Sequence, residues 1–123
     1  MSEIEYLAIP YTGTEEEMDY RAEVSDFIWS ELSNDDRIIY APISSAHHIA
    51  KKYELPRNWE FWKRIDEEFI GACKKLLVVA LPGWETSTGV TAERKIAEDL
   101  GIPIELIDPT PYLEKMNGGK SDK

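Results

Sequence analysis

Leu76-Leu77-Val78-Val79-Ala80-Leu81, with Pro82-Gly83-Trp84 directly behind it, is the stretch that sets the architecture. An unbroken apolar run of this length, closed by a Pro-Gly turn, reads as a strand buried on both faces. Three more short runs share the character: Tyr6-Leu7-Ala8-Ile9, Arg37-Ile38-Ile39-Tyr40-Ala41 and Ile102-Pro103-Ile104-Glu105-Leu106-Ile107. Helical patterns lie between them. Thr14 opens one with Glu17 at capping-box spacing, and Met18, Ala22, Ser25, Trp29 and Leu32 recur at helical intervals as far as Ser33-Asn34. Trp59 to about Ala72 is another, and Thr88 to Leu100, stopped by Gly101, a further one. Residues 42–58 read as irregular, and the prolines, glycines and lysines after Asp108 read as a loosely held tail.

Strands alternating with helices require a parallel sheet covered on both faces. Right-handed crossovers then favour a doubly wound, flavodoxin-like sheet of four to five strands in the order 2-1-3-4. The expectation is one α/β domain over residues 1–108, with 109–123 as the tail. In that order the topological switch point lies between the first and third strands, and ligands bind past their carboxyl ends. Those ends are Pro10-Tyr11-Thr12-Gly13 and Pro82-Gly83-Trp84.

Composition narrows the function. A chain of 123 residues, 42% hydrophobic and 31% charged, has the makeup of a soluble globular domain with a real core. The net charge of −10 argues against a nucleic-acid polymer, whose phosphates need a basic footprint, but not against one small nucleotide held by backbone amides. Cys73 is the lone cysteine, so neither a disulfide nor a thiolate metal framework is expected. No apolar run reaches membrane-spanning length and the acidic start, Met1-Ser2-Glu3-Ile4-Glu5, leads straight into a strand, so a cytoplasmic protein is expected.

Two acids are out of place. At about 100° per residue, Val90, Ala92, Ile96, Ala97 and Leu100 form one face of the helix from Thr88, and Glu93 projects into that face. Arg94, Lys95, Glu98 and Asp99 take the other side. On the helix from Trp59, Asp66 falls inside an arc of Trp59, Trp62, Ile65, Phe69, Ile70 and Cys73. Each acid also has an ordinary explanation: relief of a helix dipole for Glu93, and a bond to a neighbouring backbone amide or indole N–H for Asp66. Together, on helices flanking the third strand, they suggest a carboxylate pair whose protonation is split by burial and mutual repulsion. Such pairs act on acetal-like carbons, one capturing an oxocarbenium and the other managing the proton.

Ser87-Thr88-Gly89 at a helix start is a candidate anion seat, although Ser and Thr are also ordinary caps. It lacks a Walker lysine and the three-glycine dinucleotide fingerprint, so neither ATP hydrolysis nor NAD binding is expected, and no cofactor is called for. His47-His48 follow Ser44-Ser45 with no acid or cysteine at ligand spacing, so no metal site is expected; a solvated loop presenting His47 to substrate is. Trp62 and Trp84 are the tryptophans expected near the crevice, with core packing as the alternative for each.

Taken as a set, these motifs resemble the nucleoside 2-deoxyribosyltransferase superfamily, most of all a small branch of it, and are also similar to nucleotide N-hydrolases. The resemblance rests on Tyr6-Leu7-Ala8-Ile9-Pro10-Tyr11, on Tyr40-Ala41-Pro42-Ile43-Ser44 with His47, and on Trp59 through Trp62 leading to Asp66. It continues through Leu81-Pro82-Gly83-Trp84, Ser87-x-Gly89-x-x-x-Glu93, Ala97 and Gly101-Ile102-Pro103-Ile104. It implies that Glu93 is the nucleophile at the anomeric carbon, that Asp66 helps the base depart, and that Tyr6 orients the glutamate. Ser87, where free-nucleoside transferases carry aspartate, implies a 5′-monophosphate. It implies a homodimer or higher homo-oligomer as well. The chain departs from the pattern at Pro10-Tyr11, in place of a usual glycine, and at Arg94-Lys95 after Glu93; residues 46–57 are particular to the branch.

The expected function is therefore cleavage or transfer of the N-glycosidic bond of a (deoxy)nucleoside or its 5′-monophosphate. Glu93, Asp66 and Tyr6 would be catalytic; Pro10, Tyr11, Thr12, Gly13, His47, Trp62, Gly83, Trp84, Ser87 and Gly89 would bind substrate. A non-catalytic nucleotide sensor on the same fold, or an acidic structural partner of a basic protein, are the competing readings.

Overall fold

The computed structural model describes residues 2–121. The elements run β1 (Ile4–Ala8), α1 (Glu15–Ser33), β2 (Ile38–Tyr40), α2 (Pro42–Lys52), α3 (Trp59–Gly71), β3 (Lys75–Val79), α4 (Thr88–Leu100), β4 (Ile104–Ile107) and α5 (Thr110–Ser121). The strands form one sheet in the order β2-β1-β3-β4, and every pairing is parallel. This is the doubly wound, flavodoxin-like arrangement, with four strands among the described residues.

Strand periodicity splits the core in two. Leu7, Leu77, Val79 and, just past the strands, Ile9 and Leu81 face one side, where Val24, Ile28 and Leu32 of α1 and Met116 of α5 close over them. Tyr6, Ala8, Leu76 and Val78 face the other, under Ile70 of α3 and Val90 and Ala97 of α4. The central strands β1 and β3 are thus buried on both faces, which is why they read as continuous apolar runs. Thr14 caps α1 with the full capping box to Glu17, and Gly101, at φ 72°, ends α4 in the left-handed conformation that glycine adopts without a Cβ clash.

Two expectations give way here. The stretch after β2 is not irregular: α2 begins with Pro42 at its first helical position, where a missing N–H costs nothing. Its small and apolar residues Ile43, Ala46 and Ala50 recur at helical spacing, and Ser44 Oγ lies 2.7 Å from the buried Ser25 Oγ of α1. The tail is helical from Thr110 to Ser121: Asp108 Oδ1 accepts from the Thr110 N–H, Tyr112 and Leu113 pack on the core, and Met116 is buried. That burial, together with the Lys115–Glu31 ion pair, outweighs the weak helix propensity of its glycines. Residues 122 and 123 of the expected tail lie outside the described residues.

Helix α3 carries more apolar surface than one face needs. Asp66 and Ile70 point in, whereas Phe61, Ile65 and Phe69 make an outer stripe, each more than 40% exposed. Phe69 stacks on Tyr40 of the edge strand at 4.1 Å, and Ile38 beside it is exposed. Among the described residues no helix is long and apolar enough to cross a membrane.

Candidate active site

Helix α4 delivers Glu93 into the protein interior because Val90 and Ala97, one turn either side, are wholly buried and hold that face against the sheet. Glu93 is 6% exposed and Asp66, brought in by α3, 7% exposed. Tyr6 of β1 lies at the floor: its hydroxyl donates to Glu93 Oε2 at 2.6 Å, and it is near enough to Asp66 to act on that carboxyl's protonation. Residues 87 positions apart in the chain thus meet in one cluster.

Burial governs the electrostatics of this cluster. Removal from water pushes the Glu93 carboxyl up to about 8; the Tyr6 hydrogen bond opposes this, and the Asp66 charge adds to it. Asp66 is pushed up to about 6, again by burial and again opposed by Tyr6. Burial and the two acids hold the Tyr6 phenol far above its ordinary range, so it remains a donor. Between about pH 6 and 8 the pair therefore holds a single proton that rests mainly on Glu93, and its transfer to Asp66 leaves one carboxylate nucleophile and one acid.

The cluster opens into a cleft of about 940 Å³ at the carboxyl ends of β1 and β3. Of the expected substrate-binding residues, Pro10, Tyr11, Thr12, His47, Trp62, Gly83, Ser87 and Gly89 line it, with Asp66 and Glu93. Gly83 turns the chain at φ 93°, a conformation open to glycine. Gly13 and Trp84 are not on its wall. Gly13 packs under the α1 capping box, where a Cβ would meet Glu17 Oε1 at 2.5 Å. Trp84 packs on the core beneath α4, with the Arg94 guanidinium 5.1 Å from its ring centre. Tyr6 stands behind Glu93, fully buried. His47 sits on α2, half-buried, while His48 points to solvent.

Cationic residues that sequence reasoning did not single out also line the cleft: Arg21, Arg57 and Lys63. Arg21 Nη1 donates to the carbonyls of Tyr11 and Thr12, which holds the loop between β1 and α1 in place. Arg57 Nη1 approaches the Tyr11 hydroxyl, and its Nη2 pairs with Glu15. One signal was available for Arg21: it lies a helical turn beyond Glu17, on the side of α1 that starts at the crevice.

With that geometry in hand, similarity to known proteins adds a family. The family described as Domain of unknown function (DUF1937) matches residues 3–108. The chain belongs to that family. The DUF1937 match covers β1 through β4 and every cleft residue named above, and ends just before α5. No curated protein matches the chain. The DUF1937 domain of this protein therefore presents a buried carboxylate pair, one member held by a tyrosine, at the switch point of its sheet.

Proposed function

We propose that the cleft cleaves or transfers the N-glycosidic bond of a (deoxy)nucleoside 5′-monophosphate. One observation carries the reading: Glu93 and Asp66, both buried, face one cleft with Tyr6 donating to Glu93, and hold one proton between them at neutral pH. That arrangement suits displacement at an anomeric carbon once the shared proton has moved from Glu93, where it rests, to Asp66. In that form Glu93, as carboxylate, attacks C1′ or stabilises its oxocarbenium character, and Asp66 gives its proton to the base as the C–N bond breaks. Tyr6 fixes the Glu93 carboxylate by its hydrogen bond. Water or a second base then attacks C1′, giving up its proton to Asp66 and freeing Glu93. The resemblance to nucleoside 2-deoxyribosyltransferases assigns the same residues the same roles.

A phosphorylated substrate is favoured by charge. In a chain of net charge −10, the cleft gathers Arg21, Arg57 and Lys63 beside the first turns of α3 and α4. Ser87 Oγ caps α4 by accepting from Val90 N at 3.3 Å, which leaves its hydroxyl hydrogen to donate to a phosphate oxygen. No metal or cofactor enters this chemistry.

The decisive experiment incubates the protein with the common nucleosides and 5′-monophosphates, with and without an acceptor base, and follows free base. Release or exchange is expected, with kcat/KM rising through about pH 6 and falling above about pH 8. Thermal stabilisation by nucleotides without turnover would instead make the domain a sensor, and a flat pH profile would remove the carboxylate pair from the chemistry.

We also read the protein as a cytoplasmic homo-oligomer. The outer stripe of α3 (Phe61, Ile65, Phe69), continued by Ile38 on the edge strand, leaves a large apolar surface beside the cleft. Light scattering is expected to give at least twice the 14.1 kDa chain mass, and Ile65→Glu to halve it. A monomeric wild type would dismiss that surface as an interface.

A further inference from the structure

A second titratable cluster borders the same cleft, and the carboxylate mechanism leaves it unused. Tyr11, in the loop after β1, places its hydroxyl 2.6 Å from His47 Nδ1 on α2. The other ring nitrogen, Nε2, lies 2.9 Å from Asp19 Oδ1 on α1, and Lys51 Nζ bonds both oxygens of that carboxylate at 2.9 Å. Arg57 Nη1 approaches the Tyr11 oxygen at 3.4 Å. Two helices and two loops therefore converge on this cluster, and both Tyr11 and His47 line the cleft.

Hydrogen-bond logic fixes the direction of this chain. Lys51 first, then the His47 hydrogen bond, hold Asp19 below the ordinary carboxylate range, so it can only accept. His47 Nε2 must then carry a hydrogen. Nδ1 is left as the position where a proton comes and goes: an imidazole accepts from the Tyr11 hydroxyl there, an imidazolium donates to it. Burial raises the Tyr11 phenol, partly offset by Arg57, so Tyr11 passes protons as a hydroxyl and does not rest as a phenolate.

We propose that Tyr11 is a second proton-transfer group of the cleft, backed by His47, with Asp19 as the positioning residue, and that it serves a ring heteroatom of the departing base. This inference rests on the N-glycosidic reading. As the C1′–N bond breaks, its electron pair stays with the base and Glu93 closes on C1′. The Tyr11 hydroxyl proton moves to a ring atom of the base away from the broken bond, and the His47 imidazolium refills the phenol through Nδ1. His47 is left neutral, still bonded to Asp19 through Nε2–H. The base leaves carrying both protons and sheds the surplus one to solvent. When water or an acceptor base attacks C1′, the proton it releases returns to Asp66, and His47 takes its proton back from solvent through Tyr11 at the open cleft, which closes the cycle. Asp66 and Tyr11 are thus two donors that reach different positions of one leaving group.

The test compares two leaving groups on the full chain. Deoxynucleoside 5′-monophosphates need a proton on the base; 4-nitrophenyl 2-deoxyriboside 5-phosphate expels a stable phenolate and needs none. Tyr11→Phe and His47→Asn are expected to lose about 10²-fold in kcat/KM on the nucleotides and less than about threefold on the nitrophenyl substrate. Asp19→Asn should show a smaller loss with the same selectivity, while Glu93→Gln, the nucleophile variant, loses both substrates. Equal losses on the two substrates, or none on nucleotides, would reduce the cluster to a tether between α2 and the β1–α1 loop. If Tyr11→Phe does not fold, as judged by circular dichroism, His47→Asn carries the comparison. A wild type that cleaves neither substrate, and so does not differ from Glu93→Gln, would overturn the glycosidic reading and the relay with it.

Discussion

Glu93→Gln is expected to abolish base release, by at least about 10³-fold, and at the same time to make the protein more stable. The two effects share a cause. Glu93 is 6% exposed and its carboxyl is pushed from 4.5 up to about 8 by burial. Between those values the folded protein keeps a proton that the unfolded chain has released, so stability falls as pH rises through the interval. A glutamine cannot ionise and keeps a donor and an acceptor in the same place, with Tyr6 still able to donate to its carbonyl oxygen. The stability gain of the variant should be absent near pH 4, grow with pH, and level off above about 8 at roughly 5 kcal/mol. Urea denaturation at pH 5 and pH 8.5 checks this. A gain independent of pH, or a loss at both, would mean that the carboxyl is not held protonated in the native state. A catalytic acid that costs stability is the usual trade of an active site.

Asp66→Asn should lower kcat/KM on a nucleotide by about 10²–10⁴-fold and change the shape of the pH profile. Asp66 contributes the lower limb of the bell, because its carboxyl, raised by burial to about 6, must share one proton with Glu93. Without it no acid remains beside the sugar. What activity survives needs only ionised Glu93, and removal of the Asp66 charge brings the Glu93 carboxyl down from about 8. The bell should therefore become a single limb that rises to a plateau, with its midpoint below that of the wild-type alkaline limb. Rates measured from pH 5 to 9 decide it. A bell that survives unchanged would exclude Asp66 as the proton source.

Much of this arrangement is visible before folding. Glu93 and Asp66 each break the apolar periodicity of a helix face, and a carboxylate on an inward face is costly unless it is used or bridged. Both are buried against the sheet, and Glu93 accepts a hydrogen bond from Tyr6. Trp84 and Gly13 had the same kind of local support, from their place past a strand end, and yet face away from the cleft: Trp84 has a better seat on the core under Arg94, and Gly13 sits below the α1 cap. Proximity in sequence to a strand end places a residue near the crevice without aiming its side chain into it.

The chain by itself determined the elements whose signals are local and repetitive: apolar runs that must be covered on both faces, a capping box at Thr14, a glycine stop at Gly101, and hence a parallel sheet in the order β2-β1-β3-β4. Tertiary structure alone decided the helices α2 and α5, whose propensity is weak and whose stability comes from docking on α1 and the core. It alone decided that Tyr11, His47, Asp19 and Arg57 converge, across separations of 28 to 46 residues. Periodicity reports which side of an element is apolar, but hydrogen bonds between elements depend on how those elements are packed, and no local pattern encodes that.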